Sequence, residues 1–176
     1  MTRFAPVAGF AAVLFSGMFA GFLTTVLVLE ITLRRYGGDV YTQVRLIELE
    51  HLDDLATALL LPAILAAAVL TITMTRRTGD RRLVPAAAVA LLTTSLLISV
   101  AISVPINTQQ LSWTVSSPPG DWTTVRDRWQ VAHLARTTTA VLAFALLTSA
   151  AAPLHWSRRA ADHHLRKTIT RESDGR

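Results

Sequence analysis

The chain has 176 residues, of which 51% are hydrophobic and only 16% charged, with a formal net charge of +5 and no cysteine. Soluble domains usually carry nearer ~25% charged residues, so this composition argues against an ordinary soluble domain. The missing cysteines exclude disulfides, thiolate metal sites and dithiol redox cycles. The positive charge does not point to nucleic acid either, because the basic residues gather at the ends of long apolar runs.

Residues 5–29 form the first uncharged run. A helix needs roughly 20 apolar residues to cross the ~30 Å hydrocarbon core of a bilayer. This run is too long for a signal-peptide core and shows no small-residue cleavage site, so it reads as a retained span. Gly17 and Gly21 make a G-x-x-x-G step, which suits close helix contact. Residues 41–54 are expected to form an amphipathic helix on the outer surface that leads into a second span over 55–75. Pro62 lies inside that span and is a candidate kink. A short arginine-rich connection (Arg76, Arg77, Arg81, Arg82) precedes a third uncharged run over residues 83–120. Pro105 stands near its outer end. Ser116, Ser117, Pro118, Pro119 and Gly120 read as a loop. Thr124 followed by Asp127 resembles a capping box that would start the fourth helix before the membrane. The fourth span runs through 137–154 and extends back to about Trp129 if His133 and Arg136 are tolerated.

Charge sets the direction. Arg3, the four arginines of the second connection, and Arg158, Arg159, Arg166, Lys167, Arg171 and Arg176 fall on one side. Arg34, Arg35, Arg45, Arg126 and Arg128 fall on the other. The positive-inside rule then puts both termini in the cytoplasm. The expected fold class is all-α: an integral membrane four-helix bundle, N-in and C-in, in the plasma membrane. Its spans are about 7–29, 55–75, 83–105 and 131–154, within a domain over 1–156. A basic cytoplasmic tail follows over 157–176, where His163 and His164 read as solvated.

Polar residues converge at the outer end. Glu30 closes the first span, His51 precedes the second, and Asn107 and Gln110 follow the third. Trp129, His133 and Arg136 open the fourth. The last three stand at i, i+4 and i+7, so one helix face carries all of them. Ionisable groups at membrane depth are costly and usually face the interior at a functional site. Each residue also has a plain structural reading. Arg136 can snorkel or pair with Glu30, and His133 can bond a backbone carbonyl. His51, set among Glu48, Glu50, Asp53 and Asp54, can be solvated. Trp113, Trp122 and Trp129 can form an interfacial belt.

Val104-Pro105-Ile106-Asn107, followed by Trp129-x-x-x-His133-x-x-Arg136, resembles the anthrone oxygenase family of small four-span membrane proteins. The likeness extends to the glycine-bearing first span and the arginine turn. The family often has Asn-x-Pro-x-Asn, and here Ser103 stands at the first asparagine, with a shorter hydrogen-bonding reach. The resemblance implies a monooxygenase-type reaction of polyketide chemistry, in which dioxygen oxidises a lipophilic anthrone-like polyphenol to a quinone without flavin or haem. Such chemistry needs a base, donors for a developing oxyanion and a water-poor pocket. His133 is the candidate base. Asn107, Gln110 and Arg136 are candidate oxyanion donors, Trp129 and Trp113 are candidates to stack on a flat substrate, and Ser103 is a further contact.

Either no cofactor or one non-haem metal ion is expected. Glu30, His51 and His133 would make a two-histidine, one-carboxylate set. A haem between His51 and His133 is disfavoured, because haem-binding bundles carry more span histidines. The expected partners are the bilayer and a lipophilic small molecule, with homo-oligomers left open. Two other classes compete: a non-enzymatic accessory protein whose polar cluster locks the helices, and a small transporter. Four spans without repeats give a transporter little to line a path.

Overall fold

A computed structural model describes the backbone of residues 4–78 and 83–173, and the side chains of residues 5–74 and 83–150. Arg81, Arg82, the side chains of Arg76 and Arg77, and the side chains of the tail, His163 and His164 included, lie outside the described residues. Five helices appear in order: α1 (Phe4–Leu33), α2 (Gly38–Thr78), α3 (Leu83–Ile98), α4 (Val104–Gln110) and α5 (Trp122–Ser173). A π-helical turn, Ser99–Ser103, joins α3 to α4. Four segments are long and apolar enough to cross a membrane: Ala5–Leu33, Gly38–Met74, Leu83–Gln110 and Trp122–Ala150. The described chain is thus an all-helical, multi-pass bundle, as expected.

The helices form a ring. α1 packs against α2 and α5, and α3 packs against α2 and α5, while α2 and α5 meet only slightly across the diagonal. One half of the core is built from small residues and leucines, among them Ala12, Ala63, Ala67, Ala88, Ala140 and Leu147. Small side chains let helix backbones approach closely, which is how membrane helices gain packing energy. Gly17 illustrates the constraint: a Cβ there would stand 2.9 Å from the Phe144 ring. Gly21 meets nothing, so only one glycine of the step is used for a close contact.

The other half of the core holds Val26, Leu33, Tyr41, Ile106, Trp113 and Trp129. Here the structure revises two local expectations. Residues 41–54 are helical but do not lie on the surface as a separate element. They are the first turns of α2, and Tyr41, Thr42, Arg45 and Glu48 are buried in the bundle. The fourth helix starts at Trp122, and the amides of Thr124 and Val125 bond the carbonyl of Asp121. The Thr124 capping box is not used, and Asp127 instead accepts from Arg34 and Arg126.

Pro105 explains the π-helical turn. Proline has no N–H and its ring clashes with the carbonyl four residues back. The helix widens just before it, and the N–H of Val104 reaches the carbonyl of Ser99, five residues behind. Such turns often occur at functional sites. Ser103 at the end of the turn, and Ile106, Asn107 and Gln110 beyond it, are buried and face inward.

Candidate functional site

Three helix faces meet at the polar end of the bundle. α2 contributes Tyr41, Arg45 and Glu48, at i, i+4 and i+7. The π turn and α4 contribute Ser103, Asn107 and Gln110. α5 contributes Trp129, Gln130, His133 and Arg136. α1 adds Glu30 and the backbone carbonyl of Leu23. Every one of these side chains is buried.

Arg45 is the hub. Its Nη1 donates to Glu48 Oε2 at 2.5 Å and stands 3.3 Å from Glu30 Oε1. Its Nε and Nη2 donate to Gln110 Oε1 at 3.2 and 2.9 Å, and Nη2 also donates to Asn107 Oδ1 at 3.0 Å. The guanidinium lies 4.1 Å from the centre of the Trp129 ring, a cation–π contact. A guanidinium suits this place because its planar fork offers five donors and stays charged. In the sequence Arg45 counts only as an orientation charge, and Glu30 is one of two options open to Arg136. The ionic partner of Glu30 is Arg45, and Gln130 Nε2 donates to Glu30 Oε2 at 2.9 Å.

Asn107 and Gln110 do join the cluster, but their donors are occupied. Asn107 Nδ2 donates to Asp53 Oδ2 at 2.7 Å, and its Oδ1 also accepts from Trp129 Nε1 at 2.7 Å. Gln110 Nε2 donates to the Tyr41 hydroxyl at 3.3 Å. The two carboxamides therefore position Arg45, Trp129 and Tyr41 rather than presenting free N–H groups. The aromatics are occupied as well. Trp129 stacks on His133, with ring centres 4.7 Å apart and planes 8° apart. Trp113 is buried and packs against Tyr41 in the apolar cluster. Neither indole offers a free face to a flat substrate.

His133 and Arg136 differ from their neighbours. His133 Nε2 is 2.9 Å from the Leu23 carbonyl oxygen. A carbonyl only accepts, so Nε2 carries a proton, and in the neutral ring Nδ1 keeps its lone pair. That Nδ1 is buried and has no partner. Arg136 Nη1 reaches Ser103 Oγ at 3.4 Å, and its Nε is also buried without a partner. Among the described residues no carboxylate lies within ion-pairing distance of Arg136. His133 and Arg136 both line a small, partly enclosed cavity of about 20 Å³. Arg45, Trp129, Glu48 and Asp53 complete its polar side, while Phe22, Leu23, Val26, Leu49, Leu52 and Ala56 form its apolar side.

The expected metal set is not assembled. His51 is exposed and stands 3.9 Å from Glu50, turned to solvent rather than into the bundle. Glu30 holds Arg45, and His133 Nε2 is committed to Leu23. Among the described residues no group of three histidines or carboxylates is placed to hold a metal ion.

Sequence reasoning missed Arg45, Glu48, Tyr41, Gln130 and Asp53. A signal existed for three of them, since Tyr41, Arg45 and Glu48 repeat the spacing that marked Trp129, His133 and Arg136. In comparison with known proteins, the family model described as anthrone oxygenase matches residues 52–146. That span contains Asp53, Ser103, Asn107, Gln110, Trp129, His133 and Arg136, and excludes Glu30 and Arg45. No curated protein and no solved structure matches the chain.

Proposed function

The chain belongs to the anthrone oxygenase family, and from that premise we propose that it is a membrane oxygenase using dioxygen to oxidise a lipophilic, anthrone-like aromatic. The observation that carries this reading is the pair formed by His133 and Arg136. One is an imidazole whose Nδ1 meets no partner, and the other is a buried cation with no carboxylate in contact. An anthrone has an acidic C–H between two aromatic rings. Nδ1 of His133 takes that proton, while the Leu23 carbonyl fixes the tautomer and ring orientation through Nε2. The negative charge that develops needs a cation in a water-poor site. Arg136 is the available one, because Arg45 already serves Glu30 and Glu48. The net reaction adds one dioxygen, replaces the two hydrogens of the reacting carbon by a carbonyl oxygen and releases one water.

Drug-sized ligands usually need pockets of ~300–1,000 Å³, so the present cavity does not hold a tricyclic substrate. Phe22, Leu49 and Leu52 are only half buried, and their displacement would admit an aromatic from the lipid between α1 and α2. We place the protein in the plasma membrane with both termini cytoplasmic, which the distribution of basic residues supports.

The test is oxidation of a hydroxylated anthrone by detergent-purified protein, followed by oxygen uptake and quinone absorbance. The wild type is expected to consume one dioxygen per quinone. His133→Gln keeps a donor for the Leu23 carbonyl but removes the base, and a loss of about 10²-fold or more is expected, the usual scale of general-base catalysis. Unchanged turnover in His133→Gln would sink the assignment. A second reading, a non-enzymatic bundle lock, is favoured by one observation: Arg45 satisfies four side chains at once, as a structural clamp would. Wild-type protein that folds well yet turns over no anthrone would support it.

A further inference from the structure

The mechanism leaves one feature unused, the cavity itself. At about 20 Å³ it has room for one small molecule or ion, of the order of water or dioxygen in size. Its two sides differ chemically. Leu23, Val26 and Ala56, all buried, give it an apolar lining that remains when Phe22 and Leu52 move aside, and Arg136 and His133 give it a polar one. Arg136 carries a buried, unpartnered Nε and no paired carboxylate. A buried cation in a membrane protein is costly unless something offsets its charge. Asp53 is the carboxylate on the cavity outside the Arg45 cluster; it accepts the Asn107 amide, and its charge acts on Arg136 from beyond ion-pairing distance, which leaves the guanidinium without a contact anion.

We propose that this cavity is the dioxygen site, and that Arg136 holds the superoxide formed there. The inference rests on the oxygenase reading above and adds where oxygen sits. Neutral dioxygen is apolar, dissolves well in hydrocarbon and suits the apolar wall. Ground-state dioxygen is a triplet and does not combine directly with a closed-shell carbanion. It first takes one electron. The carbanion becomes a carbon radical and dioxygen becomes superoxide, whose single negative charge then faces the Arg136 guanidinium. The radical and superoxide combine into a C–O bond, giving a peroxide anion. The proton held at His133 Nδ1 passes to that anion and yields the hydroperoxide. Removal of the second C–H proton at Nδ1 breaks the O–O bond, forms the carbonyl, and releases hydroxide, which leaves as water with that proton. Substrate and dioxygen supply all the electrons, so the sequence requires no further reductant.

The assignment separates oxygen from the aromatic in kinetics. Turnover is measured with wild type, Arg136→Gln, Arg136→Lys and Ala56→Leu at varied oxygen and varied anthrone. Ala56 contributes only a methyl group to the cavity wall, so the larger side chain fills the space without altering charge. Arg136→Gln and Ala56→Leu are each expected to raise KM for oxygen about tenfold, and Ala56→Leu, which touches no charge, to leave KM for the aromatic within about twofold. Arg136→Lys keeps the charge and is expected to fall between wild type and Arg136→Gln. If Arg136→Gln or Ala56→Leu leaves KM for oxygen unchanged, the dioxygen site is overturned.

A second measurement does not need activity. Bromide is a small monovalent anion, and its NMR line is expected to broaden with wild-type micelles and to sharpen with Arg136→Gln. An equal line width for the two proteins would overturn the anion site. Wild type that broadens bromide through Arg136 but oxidises no anthrone would refute the substrate reading while leaving the small-anion site standing.

Discussion

Arg45 gives the sharpest expectation about what holds the polar end together. Replacing it by methionine keeps much of the side-chain volume and removes the charge. Its own side chain is only 3% exposed, and that of Glu30 is fully buried, so solvent screening does not soften the loss. Removing one partner of a buried ion pair typically costs ~3–5 kcal/mol, because the other charge is left uncompensated. Gln110 Oε1 would lose both Arg45 donors, adding a share of the ~1–3 kcal/mol penalty of a buried unsatisfied acceptor. Asn107 Oδ1 keeps the Trp129 indole N–H and loses less. Against these terms, helices unfolded within a micelle also find polar partners, which lowers measured values in membrane proteins. A net destabilisation of about 3–5 kcal/mol is therefore expected for Arg45→Met. The triple variant Arg45→Met/Glu30→Gln/Glu48→Gln removes the charges together and is expected to recover more than half of that loss. The assay is equilibrium unfolding in mixed micelles at rising dodecyl sulfate fraction, followed by tryptophan fluorescence. A cost below about 1 kcal/mol, the value of an exposed pair, or a triple variant no more stable than the single one, would refute the hub.

Further outcomes follow from the same geometry. Gly17→Val would drive a side chain into the Phe144 ring and is expected to destabilise by about 1–3 kcal/mol in the same assay, whereas Gly21→Ala should be nearly silent because no atom stands near it. Asn107→Ala leaves the Trp129 N–H and the Asp53 carboxylate without their partner. A loss of about 1–3 kcal/mol is expected, together with a shift in tryptophan emission as the ring is released. His51→Ala should change stability by no more than about 0.5 kcal/mol, the usual range for an exposed residue, and should leave turnover unaltered. A large effect at His51 would mean that its side chain turns inward in the working protein.

Much of this was legible in the sequence, for physical reasons that differ by residue. Uncharged runs long enough to cross a bilayer can hardly be anything but spans, so the four helices were plain. The inward face of α5 was legible because His133 and Arg136 interrupt an apolar run, where their cost demands a reason. The harder part was α2. Tyr41, Arg45 and Glu48 precede its apolar run among other charges, so they looked like solvated surface. Only the continuation of α2 beyond the apolar run, and its packing on α1, buries them. The roles of Asn107, Gln110 and Trp129 were illegible for another reason: a carboxamide or indole is free or spent depending on partners in other helices. Glu30 makes the same point, since either arginine was a plausible counterion until α2 was seen to bring Arg45 beside it.

The central claim, that His133 Nδ1 is a base poised for an acidic C–H, can be tested without oxygen. An anthrone incubated anaerobically with the protein in deuterated detergent buffer reports proton abstraction as deuterium gained at the reacting carbon. Wild type is expected to speed that exchange well above the buffer rate, and His133→Gln to return it to the buffer rate with the fold intact. Equal exchange in the two proteins, or none above buffer in either, would contradict the claim.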